Sequence, residues 1–202
     1  MKLEEAASKL QEQFQIVQRT DFRDEVTLEL TLGEIEPACK FAKEQLGFNF
    51  LTDLSSVDNF GDEPRFEVVY ELYSMEANIH LRLKTRVSED HLEVPTVLHL
   101  WPTANWHERE VYDMMGIRLH GHPDLRRILM WEGYPYFPLR KDFPLAGKPT
   151  DVPDVAFTKV TPMEGGPFVT LPSSSDAISR EPRVRVPEDA EPGLSDKQLA
   201  KK

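Results

Sequence analysis

Cysteine is nearly absent from this sequence: Cys39 is the one thiol among 202 residues. A single thiol excludes an internal disulfide framework and suits a reducing compartment such as the cytosol. It also excludes a self-contained iron–sulfur cluster, which normally takes four thiolate ligands. Cys39 lies beside Phe41 and Ala42 on a predicted helix face, so we interpret it as a buried structural thiol rather than a nucleophile.

Motifs for nucleotide, acyl-transfer and zinc chemistry are missing as well. The sequence has no G-x-G-x-x-G after a strand, no P-loop and no G-x-S-x-G nucleophile elbow. His107 and Glu108 begin like a zinc-peptidase motif, but Val111 occupies the position of the second histidine. His120 and His122 could bind a metal only if further ligands lay close to them. The favoured alternative is a polar loop in which the histidines are hydrogen-bonded. We therefore expect no cofactor bound by this chain, and no stoichiometric flavin, iron or zinc in the isolated protein.

Long apolar runs are absent too, since no stretch approaches the ~20 apolar residues of a membrane span. The first six residues include two glutamates where a secretory signal carries an apolar run. We expect a soluble, cytosol-facing protein that meets a membrane only indirectly, through partners.

Basic charge is in deficit, with 24 Lys and Arg against 35 Asp and Glu and a net charge of −11. Nucleic acid is disfavoured as a partner, because the neutralisation of phosphates takes a basic face. The segment 118–141 reverses the balance, with five basic and two acidic residues. This asymmetry favours an acidic partner for the segment; the alternative is a solvated loop that balances the acidic body.

The apolar pattern indicates one α+β domain. Helical spacing marks helices at residues 3–14, 37–46 and 103–115. Period-two alternation marks strands at 26–32, 66–72 and 79–83, and two further strands are expected at 48–54 and, as a short one, at 97–101. This order predicts an α+β two-layer sandwich, in which a mainly antiparallel sheet has helices on one face.

A long, extended, proline-rich C-terminal arm is expected after this domain. Eleven of the sixteen prolines fall at or after Pro135, and proline disfavours helix and central strand alike. We therefore divide the chain into a domain at 1–133 and an arm at 134–202 that docks on partner proteins. The aromatic residues near its start suit an interface anchor: Trp131, Tyr134, Tyr136, Phe137 and Phe143. The alternative is that these rings fold back and cap the domain.

The predicted helix at 103–115 is dense in charge. Glu110 and Asp113 lie three residues apart on one face, and Arg109 lies four residues before Asp113. Paired carboxylates can act as acid and base in a cleft. The favoured alternative is an ion-pair network that ties the helix to the following loop. Its candidate members are Glu108, Arg109, Glu110 and Asp113 on the helix and Arg118, Arg126 and Arg127 in the loop.

Two ordered motifs carry a family resemblance. Residues 108–116 (EREVYDMMG), followed by residues 122–129 (HPDLRRIL), resemble the defining motif of the 30 kDa subunit of respiratory complex I, which is the C subunit of bacterial NDH-1. Residues 138–145 (PLRKDFPL) resemble the family's second hallmark, although Tyr136 and Phe137 stand where the family commonly has Gly-His. The resemblance singles out thirteen family-motif or interface residues: Glu108, Arg109, Glu110, Asp113, Gly116, His122, Pro123, Arg126, Arg127, Leu139, Arg140, Lys141 and Asp142.

This resemblance implies an accessory subunit in the peripheral arm of a proton-translocating NADH:quinone oxidoreductase, on the cytoplasmic side of the cell inner membrane. The family's subunit binds no flavin or iron–sulfur cluster, because FMN and the clusters lie on partner subunits. The implied partners are the 49 kDa-type subunit and the small cluster-bearing subunit of NDH-1. The chain would hold them in register for electron transfer from NADH to quinone, with no catalytic, cofactor-binding or metal-binding residue of its own.

Two other functions stay open on the sequence. The same scaffold role in a complex I-related membrane-bound hydrogenase fits the same residues, and the partners' sequences would separate the two. A stand-alone hydrolase that uses Glu110 and Asp113 differs in class, since it would be monodisperse and active alone.

Overall fold

The computed structural model describes residues 2–131 and 133–144 of the chain. Its helices are α1 (Leu3–Gln13), α2 (Ile35–Leu46) and α3 (Ala104–Met115). Its strands are β1 (Ile16–Phe22), β2 (Glu25–Leu30), β3 (Phe50–Asp58), β4 (Phe66–Ser74), β5 (Ile79–Val87), β6 (Glu93–Pro95) and β7 (Arg118–His120), and a 3₁₀ turn spans Glu89–His91. The three predicted helices are all present, and α2 and α3 end at glycines in the left-handed conformation, Gly47 and Gly116.

Five strands form one sheet in the order β1-β2-β5-β4-β3, and β6 pairs with β7 in a small second sheet. Three pairings in the larger sheet are antiparallel, whereas β2 and β5 run parallel, with Leu28 opposite Leu83. The predicted α+β class is confirmed, and the sheet is mixed. Because α2, β3 and β4 all lie between β2 and β5 in sequence, the chain has the long crossover that a parallel pair requires.

The structure departs from the sequence expectation at the unpredicted strands β1, β6 and β7 and at residues 97–101. Apolar alternation does not mark β1, because this edge strand is largely exposed and polar at Gln18 and Asp21. The strand expected at 97–101 is a turn instead, in which the backbone N–H groups of Leu100 and Trp101 both donate to the Val97 carbonyl. The Val97 N–H donates to a glutamate side chain of α3, so this backbone is satisfied without a strand partner.

The core lies between one face of the large sheet and helices α1 and α2. Leu28, Tyr70 and Leu83 are fully buried on that face; α1 packs against β2 and β5, α2 packs against β5, and α3 packs against the edge strand β3. The opposite face carries charged side chains in cross-strand ion pairs, such as Lys84 with Glu67 at 2.7 Å. One apolar face and one charged face explain the period-two alternation.

The chain divides after Arg140 into two units, 1–140 and 141–202. Gly133 turns the backbone with a φ of 88°, and Tyr134 is buried with edge-to-face contacts to Trp131 and Tyr136. These rings fold back onto the domain because aromatic burial outweighs the effect of the nearby prolines. The alternative that these rings cap the domain is therefore observed at Trp131, Tyr134 and Tyr136, while the division of the chain at residue 133 stays a prediction. The predicted arm from residue 145 onward lies outside the described residues.

Candidate functional site

The carboxylate of Asp113 is fully buried near the end of α3 and anchors the loop that follows β7. Its Oδ2 accepts hydrogen bonds from three consecutive backbone N–H groups, of Ile128, Leu129 and Met130, at 3.0, 2.7 and 2.8 Å. Its Oδ1 accepts from Arg127 Nη1 at 2.6 Å. Burial alone raises the pKa of Asp113, but the four donors together lower it below its ordinary value. The charged carboxylate is thus a structural anchor.

Arg127 connects α3 to the segment around residue 136. Its Nη1 also donates to the Asp113 carbonyl at 3.0 Å, and its Nη2 donates to the Tyr136 carbonyl at 3.2 Å. Its guanidinium lies 5.8 Å from the ring centre of Tyr134 and 5.1 Å from that of Phe137. A planar, permanently charged fork suits this combination of donation and stacking. The ion pair predicted between helix and loop is present, with Asp113 and Arg127 as its partners.

Arg109 binds backbone carbonyls instead of a carboxylate. Its side chain is buried, its Nε donates to the Arg126 carbonyl at 3.1 Å, and its Nη2 donates to the Arg127 carbonyl at 3.3 Å. The ring of Trp106, itself 59% exposed, stacks 5.1 Å from the guanidinium. In the described part of the chain Arg109 makes no ion pair with Asp113, although their spacing along the helix would permit one. Asp113 instead accepts hydrogen bonds from the Arg127 side chain and from the backbone N–H groups of residues 128–130 in the loop.

Gly116 allows the segment 137–140 to pack directly on the end of α3. Its φ is 78°, and a Cβ placed on it would lie 2.6 Å from Arg140 Nη2 and 2.7 Å from Phe137 Cε2. Both the left-handed backbone and the close approach therefore require glycine. The last turn of the helix is capped from this side by two bonds, from Arg140 Nε to the Met115 carbonyl at 2.7 Å and from the Leu139 N–H to the Met114 carbonyl at 3.2 Å.

Glu108 is fully buried and holds the turn before α3. Its Oε1 accepts the Val97 N–H at 2.7 Å, and its Oε2 accepts the Thr96 hydroxyl at 2.5 Å. Burial raises the pKa of Glu108 to about 6, and the bonds from Thr96 and Val97 oppose that rise. Helical periodicity alone placed this residue in a charged cluster without indicating its burial.

The two histidines of the loop lie in different surroundings. His120 is exposed and its Nδ1 lies 3.1 Å from Glu93 Oε1. The side chain of His122 is buried, and its Nδ1 accepts the Asp124 N–H at 3.1 Å. The residues that the structure describes contain no cluster of three or more potential metal ligands.

The remaining predicted positions lie at the surface. Arg126 is 72% exposed on its side chain and pairs with Asp124 at 2.9 Å. The others are exposed: Glu110, Pro123, Leu139, Lys141 and Asp142. Because Arg127 and Arg140 bind within the domain and Arg126 pairs locally, much of the basic charge of residues 118–141 is used internally. The case for an acidic partner at this segment is correspondingly weaker.

A buried arginine outside the predicted set lies close to the same region. Arg65 is 5% exposed and donates to both oxygens of Asp58 at 2.8 Å, while its Nη1 donates to Glu89 at 2.9 Å. The ring of Phe66 is 4.7 Å from this guanidinium and 5.2 Å from that of Arg140. Asp58 and Arg65 flank the turn-forming segment 59–64, and their ion pair joins its two ends. The turn-forming residues of the segment predict the turn but not this ion pair.

These arrangements fix structure. Asp113 is buried with four donors, whereas Glu110 is exposed, so the two carboxylates of the hydrolase interpretation do not share a site. Cys39 is fully buried, and burial raises the pKa of its thiol. The prediction that it is a structural thiol is confirmed.

Known proteins match both the sequence and the fold. A model of the family described as respiratory-chain NADH dehydrogenase, 30 Kd subunit, matches residues 28–149. The C subunit of NADH-quinone oxidoreductase from Geotalea uraniireducens (strain Rf4) is 48% identical over 144 residues, which cover 70% of this chain and 88% of that protein. The trypsin-resistant fragment (1-134) of Nqo5 matches with a TM-score of 0.55 at 32% identity, over 62% of this chain and 100% of that chain. A chain in the membrane-bound sulfane sulfur reductase, an archaeal respiratory membrane complex, matches with a TM-score of 0.61 at 26% identity, over 69% of this chain and 84% of its own.

Proposed function

This chain belongs to the family of the respiratory-chain NADH dehydrogenase 30 kDa subunit, and we propose that it is a cofactor-free scaffold within that enzyme. It is a C subunit of NADH-quinone oxidoreductase, in the peripheral arm of complex I. The scaffold role is supported by the contact between α3 and residues 126–140, which we call the junction. There the buried charges of Asp113 and Arg109, together with the partly buried Arg127, hold the backbone, and none of them is placed to act on a substrate.

The junction holds exposed apolar side chains on a fixed backbone. Leu129 is 53% exposed, yet its N–H is bound by Asp113; Leu139 is 56% exposed, yet its N–H is bound by the end of α3. Trp106 is 59% exposed over the buried Arg109. Tryptophan is enriched at interface hot spots, and side chains on an ordered backbone lose less entropy on binding. We propose that partner subunits bind on these residues.

The proposed partners are the 49 kDa-type subunit and the small cluster-bearing subunit, and the proposed carriers of FMN and of the iron–sulfur clusters are subunits other than this one. A chain with Cys39 as its one thiol lacks the thiolates that a cluster needs. Electron transfer and quinone binding both depend on small distances. A subunit that fixes the register of its neighbours therefore serves the reaction without taking part in it.

We further propose a peripheral location on the cytoplasmic side of the membrane, reached through the partner subunits. Within residues 2–131 and 133–144 no helix combines the length and the apolar character of a membrane span. Contact with the membrane would then depend on the rest of the complex.

A second candidate is the same scaffold role in a different respiratory membrane complex. The match to a chain in the membrane-bound sulfane sulfur reductase favours it, because the fold occurs there at 26% identity. The names of the two complexes differ in the electron acceptor, which is quinone in the first and sulfane sulfur in the second. A purified complex that contains this chain and reduces quinone with NADH supports the first, and one that reduces sulfane sulfur instead supports the second.

The partner assignment is tested by cross-linking mass spectrometry on the complex isolated in mild detergent through a tag on this chain. We expect cross-links from Lys141 and from the N-terminal lysines to a 49 kDa-type subunit and to a four-cysteine cluster subunit. Cross-links confined to other subunits would contradict the proposed partners.

A further inference from the structure

Two buried titratable side chains, Glu108 and His122, face each other outside the junction. Both side chains are 0% exposed, and Glu108 Oε2 lies 4.0 Å from His122 Nε2. Glu108 is in the middle of α3, and His122 belongs to the loop after β7. Their contact therefore joins two separate segments of the chain.

The hydrogen bonds of His122 determine where its proton resides. Because Nδ1 accepts the Asp124 N–H at 3.1 Å, the proton of the neutral ring is on Nε2. Nε2 is buried and makes no hydrogen bond of normal geometry within the described residues. Its N–H faces two acceptors, the Asn105 backbone carbonyl and the Glu108 carboxylate, whose Oε2 lies 4.0 Å away. A second proton on the ring would have to displace the Asp124 N–H from Nδ1. Geometry thus opposes protonation of this histidine.

Glu108 has fewer donors than the other buried carboxylate of α3. It accepts from the Val97 N–H and from the Thr96 hydroxyl, whose oxygen in turn accepts the Leu98 N–H at 3.1 Å. Asp113, by contrast, accepts from three backbone N–H groups and an arginine. The charge of Glu108 is therefore less fully compensated, and proton uptake at its carboxylate is favoured.

The surroundings of the pair also favour protonation of Glu108 over protonation of His122. Burial raises the pKa of Glu108 to about 6. Burial lowers the pKa of His122, the charge of Arg109 lowers it further, and the Asn105 backbone and Asp124 oppose this. Two further titratable groups, Cys39 of α2 and Tyr70 of β4, are influenced by the charge of Glu108; both are buried, and burial raises their pKa values so that they stay neutral.

We propose that Glu108 and His122 form one buried proton-binding site in which the glutamate, and not the histidine, takes up the proton. One proton from solvent adds to Glu108 Oε2, the Thr96 hydroxyl hydrogen turns away so that the Thr96 oxygen accepts the new O–H, and the ring keeps its proton on Nε2 and its acceptor at Nδ1. The buried pair then passes from a net charge of −1 to zero. The Nε2–H has an anion to face only while Glu108 is charged, so the link between α3 and the loop at 121–124 responds to pH.

This assignment reverses the usual order of titration, in which a histidine changes charge near neutrality and a glutamate does not. It is tested on the full chain by NMR, with ¹³C-labelled glutamate carboxyls and ¹⁵N-labelled histidine rings, between pH 4.5 and 8. We expect the Glu108 carboxyl to titrate near pH 6. We expect His122 to keep the Nε2–H tautomer throughout, and its Nε2–H resonance to move with the same midpoint because the neighbouring charge changes.

Two variants sharpen the test. In Glu108→Gln the pH dependence of the His122 Nε2–H resonance should disappear, and in Glu110→Gln, which changes an exposed carboxylate of the same helix, it should persist. A Glu108 carboxyl that titrates near its ordinary value overturns the proposal. So does a His122 ring that becomes doubly protonated over the same interval. Both outcomes are read from the wild-type protein, so they do not depend on the folding of a variant.

Discussion

The sheet and the junction are held together by different chemistry. The sheet and helices α1 and α2 share an apolar core in which residues such as Leu28 and Leu83 are fully buried. The junction instead buries the charges of Asp113 and Arg109. Asp113 binds the Arg127 side chain and the Met130 N–H, and Arg109 binds the Arg127 carbonyl. Apolar packing tolerates substitution of similar volume, whereas a buried charge tolerates no loss of its partner. The first region therefore specifies a domain, and the second fixes one surface of it.

The largest effect is expected at Asp113. Asp113→Ala leaves the Arg127 guanidinium and three backbone N–H groups without their anion, so we expect a loss of roughly 3–5 kcal/mol in the free energy of unfolding, measured in urea. Leu83→Ala in the sheet should cost about 2–5 kcal/mol by the separate route of a cavity. The matched control is Glu110→Ala, an exposed carboxylate three residues earlier, with a change within about 0.5 kcal/mol. Equal losses in the free energy of unfolding at positions 110 and 113 would mean that the buried charge of the junction stabilises no more than an exposed one. The contrast between the junction and the apolar sheet would then fail.

Two helix-ending glycines provide a smaller and more specific comparison. Gly47 ends α2 with a φ of 74° and Gly116 ends α3 with a φ of 78°, so Gly→Ala costs about 1–2 kcal/mol of backbone strain at either position. A Cβ at Gly47 has its nearest neighbour at 3.9 Å, whereas at Gly116 it would lie 2.6 Å from Arg140. Gly116→Ala should therefore cost about 1–3 kcal/mol more than Gly47→Ala. If thermal unfolding shows equal losses, the close packing of residues 137–140 is not important for stability.

The pH dependence of stability separates Glu108 from Asp113. The pKa of Glu108 is raised to about 6 in the folded chain, so the folded state binds this proton more tightly than the unfolded state. Wild-type stability should then fall as pH rises from 4.5 through 6, by about 2 kcal/mol. Glu108→Gln does not titrate, and its stability relative to wild type should rise by that amount over the same interval in urea unfolding. If the difference in the free energy of unfolding between Glu108→Gln and wild type stays constant from pH 4.5 to 7.5, the raised pKa of Glu108 is contradicted. Asp113 has a lowered pKa, and its contribution is lost only as pH falls through that value.

The smallest effect is expected where the charge is exposed. Arg126 is 72% exposed and pairs with Asp124, so Arg126→Ala should change the free energy of unfolding by no more than about 0.5 kcal/mol. A loss comparable to that of Asp113→Ala would mean that exposed and buried charges contribute alike, and the comparison would fail.

The sheet could be predicted from the sequence more fully than the junction. The alternation of Val68, Tyr70 and Leu72 marks β4 because these side chains meet one core, but no local pattern shows that β2 pairs with β5 in parallel. The polar edge strand β1 has no apolar alternation to find. In the junction, spacing along α3 brought Arg109 and Asp113 into reach of each other. Asp113 does pair with the predicted loop residue Arg127, but the other partners of Arg109 and Asp113 are backbone groups more than ten residues away, which side-chain periodicity cannot show.

Burial of charge was the other feature that sequence reasoning missed. Glu108 and Arg65 are both buried, although residues of these types are rarely found inside unless paired. The motif resemblance identified Glu108 as a family position without giving it a role. Nothing in the sequence around Arg65 distinguished it from a surface arginine after a turn.

The central claim is that this chain holds its partners in place and takes no part in the reaction, and Arg109→Ala tests it most directly. Loss of the bonds to the Arg126 and Arg127 carbonyls loosens the junction by about 2–3 kcal/mol, and Arg109→Lys restores the charge without the fork. Assembled complex is measured by native gel, and NADH:quinone reductase turnover is measured per assembled complex. The account predicts less assembled complex with turnover unchanged, and partial recovery in the lysine variant. A fully assembled complex that has lost its quinone reductase activity would contradict it.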